Sequence, residues 1–108
     1  MRGSAATPSV AELQRLLRPF CEKHGIRRLE VFGSAARGEA SPGSDVDLLV
    51  TLDESNPVST SALLEMAGEA EELTGRPVDF VLRRAVERSP NQFARKHILT
   101  SAVCLYGT

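Results

Sequence analysis

The sequence predicts an α/β protein of the α+β type: a small mixed sheet of about four strands with helices packed on it. Three observations predict it. Helical and strand-like apolar patterns alternate along the whole chain. Caps, glycines and prolines punctuate that pattern at each change of element. The chain has 108 residues, 42% of them hydrophobic, enough for one core and one domain.

The elements follow in order. Residues 1–8 are small and polar and are expected to form a flexible N-terminus, leaving 9–108 as a single domain. Ser9 and Glu12 have the spacing of a capping box. Val10, Leu13, Leu17 and Phe20 then follow at helical intervals. Pro19 removes a backbone donor and is expected to kink or divide this helix, which Gly25 ends. Leu29, Val31 and Phe32 read as a first strand that stops at Gly33. Ala35-Ala36-Arg37 favours a short helix closed by Gly38, and a loop containing Pro42 follows. Val46 to Leu52 is a second strand, apolar on both faces past Asp47, which suits a central position.

Ser59, Thr60 and Ser61 offer N-caps for the next helix. Its expected inner stripe is Leu63, Ala67, Ala70 and Leu73, with glutamates between 65 and 72 on the wet side. Gly75 and Pro77 end it. Val78 to Leu82 is a third strand. Ser89-Pro90-Asn91-Gln92 reads as a capping-box start with proline at the first helical position, opening a helix that carries Phe93, His97 and Ile98. Val103 to Tyr106 is a short last strand. No internal repeat, low-complexity tract or linker interrupts this order.

Composition excludes several functions. Thirteen Lys and Arg against fourteen Asp and Glu give a net charge of −1, without general attraction to nucleic acid or anionic membrane. Arg27-Arg28 and Arg83-Arg84 read as solvated charge. No apolar run reaches the length of a membrane span and no signal-peptide pattern opens the chain. Cys21 and Cys104 lie in apolar surroundings and read as small buried hydrophobes rather than a disulfide. His24 and His97 have no His or Cys neighbour at zinc spacing.

The chemistry is concentrated in three short segments. Val31-Phe32-Gly33-Ser34 runs an apolar strand into a Gly-Ser turn, where backbone N–H groups and a hydroxyl can receive a phosphate. Ser44-Asp45-Val46-Asp47 opens the second strand with two aspartates one residue apart, which alternation projects from one face. Such a pair repels itself unless a cation lies between, and hard divalent ions take oxygen ligands of this kind. Asp79 is the only charge in Val78-Asp79-Phe80-Val81-Leu82, costly there unless paired or metal-bound. If the second and third strands are neighbours, Asp79 joins Asp45 and Asp47 around a two-ion site of the kind that supports in-line displacement.

Gly33-Ser34-Ala35-Ala36-Arg37-Gly38, then Ser44-Asp45-Val46-Asp47-Leu48-Leu49-Val50, then Val78-Asp79-Phe80 resemble the polymerase-beta-type nucleotidyltransferase superfamily. The nearest likeness is to the minimal nucleotidyltransferases, antitoxins of two-gene modules whose toxin is a HEPN-domain ribonuclease. The resemblance implies a nucleotidyltransferase-like fold and transfer of AMP from ATP, with two Mg²⁺ ions, to a hydroxyl of a partner HEPN-type toxin, in that family a tyrosine. It makes Asp45, Asp47 and Asp79 the catalytic and metal-binding carboxylates, and Gly33, Ser34, Arg37 and Ser44 the nucleotide-binding set. It implies a prokaryotic cytoplasmic protein. Larger relatives carry a second domain that grips base or acceptor. None is expected after Tyr106, so those walls are expected from another chain. A competing expectation is an antitoxin that neutralises its partner by association, without catalysis. Exposed strand edges in so small a sheet leave room for a homodimer or a hetero-complex, and nucleic acid is not the expected partner.

Overall fold

The computed structural model describes residues 9–33, 36, 45–53 and 58–107. The order is α1 (Val10–His24), β1 (Ile26–Phe32), β2 (Val46–Leu52), α2 (Thr60–Thr74), β3 (Val78–Leu82), α3 (Arg83–Glu87), α4 (Gln92–Ser101) and β4 (Val103–Tyr106). The four strands form one mixed sheet in the order β3-β2-β1-β4. β1 runs antiparallel to both β2 and β4, whereas β2 and β3 are parallel. A parallel pair cannot be joined by a tight turn, and α2 lies in the connection between β2 and β3.

Local signals account for most of these boundaries. The Ser9 hydroxyl accepts from the Glu12 N–H at 3.1 Å while Glu12 reaches back to the Ser9 N–H, a complete capping box. Ser59 caps α2 with its hydroxyl alone, accepting from Ala62 N–H at 3.1 Å. Both helices end on glycine in the left-handed region, Gly25 at φ 64° and Gly75 at φ 70°.

Leu13, Leu17, Phe20 and Cys21 of α1 are fully buried. They meet Met66 and Ala70 of α2 and the inward residues Leu29, Val31, Val46, Leu48 and Val50 of the sheet. Lys23 and His24 of α1 both contact Glu69 of α2, at 3.1 and 3.0 Å. Hydrogen bonds from His24 and then Lys23 lower the Glu69 pKa. The cysteines are free, and burial, with the neighbouring Glu22 charge, pushes the Cys21 thiol up to about 12.

The second face of the sheet is thinner. Leu49 and Val86 are buried apart from the main cluster, and α3 and α4 contact the strands there.

Several expectations are corrected. α1 passes through Pro19 undivided, with the proline on its exposed side. β1 begins at Ile26 rather than Leu29. In α2 Met66, which was not expected, is buried beside the expected Ala70, and Leu73 is exposed. α4 is capped by Asn91, whose side chain accepts from Ala94 N–H at 3.1 Å, not by Ser89. α3 was not expected at all. The helix expected after Gly33 and the loop that follows lie outside the described residues, apart from Ala36.

Candidate active site

Asp47 of β2 and Asp79 of β3 are register partners in the parallel ladder. Partners in neighbouring strands project from one face, about 4.8 Å apart along the hydrogen-bonding direction. That face is the one away from α1 and α2, because Asp47 alternates with the core residues Val46 and Leu48. Asp45 immediately precedes β2, which is tied to the next segment by a hydrogen bond from Val46 N–H to Pro77 carbonyl at 2.8 Å. Asp45 and Asp79 are exposed and Asp47 is half-buried.

The electrostatics follow from that arrangement. The Asp47 carboxyl is raised above its ordinary value, first by burial, then by the negative charges of Asp79 and Asp45. Three acids thus meet at one end of β2 and β3, with Asp47 under the charge of the other two. Their chemistry is all oxygen, the donor set that Mg²⁺ accepts. Among the described residues no three His, Cys, Asp or Glu side chains are drawn together tightly enough to enclose an ion.

Gly33 completes the described part of the site. It follows Phe32, the register partner of Asp47 across β1 and β2. Its φ is 74°, in the region that favours glycine. A Cβ there would overlap Asp47 Oδ2 and lie 3.4 Å from Cγ. The glycine therefore serves two needs at once, the turn and the close approach of backbone to carboxylate. Ser34, Arg37 and Ser44 lie outside the described residues. Of the expected set, Gly33, Asp45, Asp47 and Asp79 stand together at one end of β2 and β3. A separate cavity of about 430 Å³ lies at the opposite end of these strands, bordered by Thr51, Leu82 and Arg84.

Sequence reasoning missed Glu30. It is 3% exposed, in β1, opposite Leu49 and on the face that carries Asp47. Arg83 Nη1 donates to it at 2.6 Å and Arg28 Nη2 lies 3.4 Å away. Arg83 Nε also donates to Glu87 at 3.1 Å. Burial alone would lower the Arg83 pKa, but the hydrogen bonds to Glu30 and Glu87 raise it. Arg83 and Arg28 are therefore not merely solvated charge; Arg83 ties α3 to β1 through Glu30, and Arg28 meets the same carboxylate from within β1. The signal was available: Glu30 stands alone between Leu29 and Val31, as Asp79 does between Val78 and Phe80.

The family model described as the nucleotidyltransferase domain matches residues 13–104. The chain belongs to that family. This nucleotidyltransferase is 33% identical over 95 residues to a Methanocaldococcus jannaschii protein named "Putative protein adenylyltransferase MJ0435", covering 88% of this chain and 96% of that one. Its fold matches a crystal structure of a toxin–antitoxin with AMP-PNP at a TM-score of 0.70 and 21% identity, over 88% of this chain and 73% of that chain. It also matches a structure of tri-AMPylated Shewanella oneidensis HEPN toxin in complex with MNT antitoxin, at TM-score 0.63 and 18% identity, over 89% and 71% of the two chains. These likenesses bear out the nucleotidyltransferase-like fold. No described helix of the nucleotidyltransferase is long and apolar enough to cross a membrane.

Proposed function

We propose that this nucleotidyltransferase moves AMP from ATP to a tyrosine hydroxyl of a partner HEPN-type toxin, and so acts as an antitoxin. The observation that carries the reading is the partnership of Asp47 and Asp79 beside Gly33. Two acids facing one glycine-lined space suit a metal-bound polyphosphate better than they suit a folded core. The acceptor class draws on the relatives, one named a protein adenylyltransferase and one structure pairing an MNT antitoxin with a HEPN toxin.

In this reading the acceptor oxygen attacks the α-phosphorus. The new O–P bond forms as the bond to the β-phosphate oxygen breaks, and pyrophosphate leaves. Asp79 receives the hydroxyl proton. Asp45 and Asp47 hold Mg²⁺, which when bound offsets the negative charge of the carboxylates and of the triphosphate. Gly33 leaves room for phosphate beside Asp47, with Ser34, Arg37 and Ser44 as the further nucleotide-binding groups. Residues 9–108 act as one minimal domain in the prokaryotic cytoplasm, where ATP is available.

The test is transfer of label from α-labelled ATP with Mg²⁺ to the product of the adjacent reading frame, which this reading expects to be a HEPN-type protein. Label should appear on that protein and disappear with Asp47→Asn. Label at the parental level with Asp47→Asn overturns the mechanism. Neutralisation of the toxin by a variant lacking both Asp45 and Asp47 carboxylates would transfer the assignment to inhibition by association.

A further inference from the structure

We infer that the groove between α1 and the free edge of β4 receives an acidic extended peptide segment, added as a fifth strand. Among the described residues β4 is an outer strand of the sheet, with β1 on one side and no strand on the other. A groove of about 890 Å³ lies between α1 and β4 and reaches the start of β1 at Ile26 and Arg27. Its floor includes the consecutive residues Cys104 to Gly107. Consecutive residues line it because it follows the edge of the strand rather than one face, where every second residue would appear. The opposite wall is one face of α1, through Gln14, Arg15 and Arg18 at helical spacing.

The charge of this groove is one-sided. Arg15, Arg18 and Arg27 all border it, and none of its lining residues is acidic. All three arginines are exposed, and their side chains make no hydrogen bond or ion pair with any described residue. This contrasts with Arg28 and Arg83, both engaged by Glu30. Three uncommitted guanidinium groups beside a strand edge without a described neighbour offer forked donors for carboxylates and a main-chain ladder for a peptide. Gln14 already shows the polarity of the edge: its Nε2 donates to the Cys104 carbonyl at 3.3 Å, bridging helix to strand where a peptide N–H could bind.

Cations at a sheet edge also serve to discourage unwanted pairing. Guarding alone repels basic strands and leaves acidic ones unbound; the proposed site binds them. The inference is independent of the transfer reaction, because the groove and the aspartates involve different residues.

The test uses the full chain and a blocked peptide of about eight residues alternating Glu and Thr, followed by fluorescence anisotropy. Binding is expected, weakened at least about tenfold by Arg15→Glu with Arg18→Glu, and weakened to a similar degree by N-methylation of alternate peptide amides. Amide chemical-shift changes should centre on Val103 to Gly107. Both arginines are exposed and unpaired, so the double variant should melt with the parent, which separates lost binding from lost folding. Absence of binding by the parent means edge guarding only and overturns the proposal. So does a peptide whose N-methylated form binds equally well, or a single-stranded oligonucleotide that binds this groove more tightly than the peptide.

Discussion

The backbone of Gly33 passes so near Asp47 that a methyl group on its α-carbon would overlap the carboxylate. The same glycine sits at φ 74°. Gly33→Ala should therefore cost about 1–3 kcal/mol of stability from backbone strain and displacement of Asp47. It should also cut AMP transfer by about tenfold or more, since sub-ångström placement governs such sites. Urea midpoints and single-turnover labelling check the two effects separately. Unchanged transfer in a folded Gly33→Ala variant would show that the close approach has no catalytic role.

Asp47 predicts a pH dependence. Its folded-state pKa is raised above the ordinary 3.8 by burial and by the charges of Asp79 and Asp45. The folded chain then holds the proton more tightly than the unfolded chain. Its contribution to stability is full below 3.8 and is lost as pH rises through the folded-state value. At neutral pH Asp47→Asn should be more stable than the parent by about 1 kcal/mol or less, a Tm gain of a few degrees. The gain should shrink as pH falls toward 4. Thermal melts across that range measure it, and a variant that is less stable at pH 7 contradicts the electrostatic account.

Mg²⁺ with a non-hydrolysable ATP analogue should raise the Tm of the parent, because a ligand bound only by the folded state adds stability by mass action. Asp47→Asn and Asp45→Asn should show little of that gain. An equal shift in all three proteins would mean that the aspartates do not hold the nucleotide complex.

Glu30 and Arg83 predict a stability cost. Removing one member of a buried ion pair costs about 3–5 kcal/mol, but Arg83 and Arg28 keep 26% and 35% of their side-chain exposure. Glu30→Ala should therefore cost about 2–3 kcal/mol. Glu30→Leu combined with Arg83→Met should lie closer to the parent, since no charge is then left without its partner. Chemical denaturation of the three variants gives the coupling directly.

The sequence revealed most of the frame and the acids on it. β2, β3 and β4 occupy the spans that their apolar runs suggested, because hydrophobic pattern and turn residues agree there. Asp79 could be assigned to the side of Asp47 only after β2 and β3 proved to be parallel neighbours, and pairing is a non-local property. α3 escaped notice because its five residues, Arg-Arg-Ala-Val-Glu, carry too little apolar pattern to register. Its position depends on a long-range ion pair with Glu30, more than fifty residues earlier. Met66 and Leu73 are seven residues apart on one face of α2, but Leu73 stands one residue from the helix end and is exposed there, whereas Met66 is buried.

The α2 crossover makes the meeting of these acids a late event in the life of the chain. Asp45 and Asp47 are contiguous in sequence, but Asp79 is delivered to them only when the intervening helix has docked and β3 has zipped onto β2. An incompletely folded molecule carries every one of these acids and still does not hold them as neighbours, so under the proposed function reactivity toward nucleotide is withheld until tertiary assembly is finished.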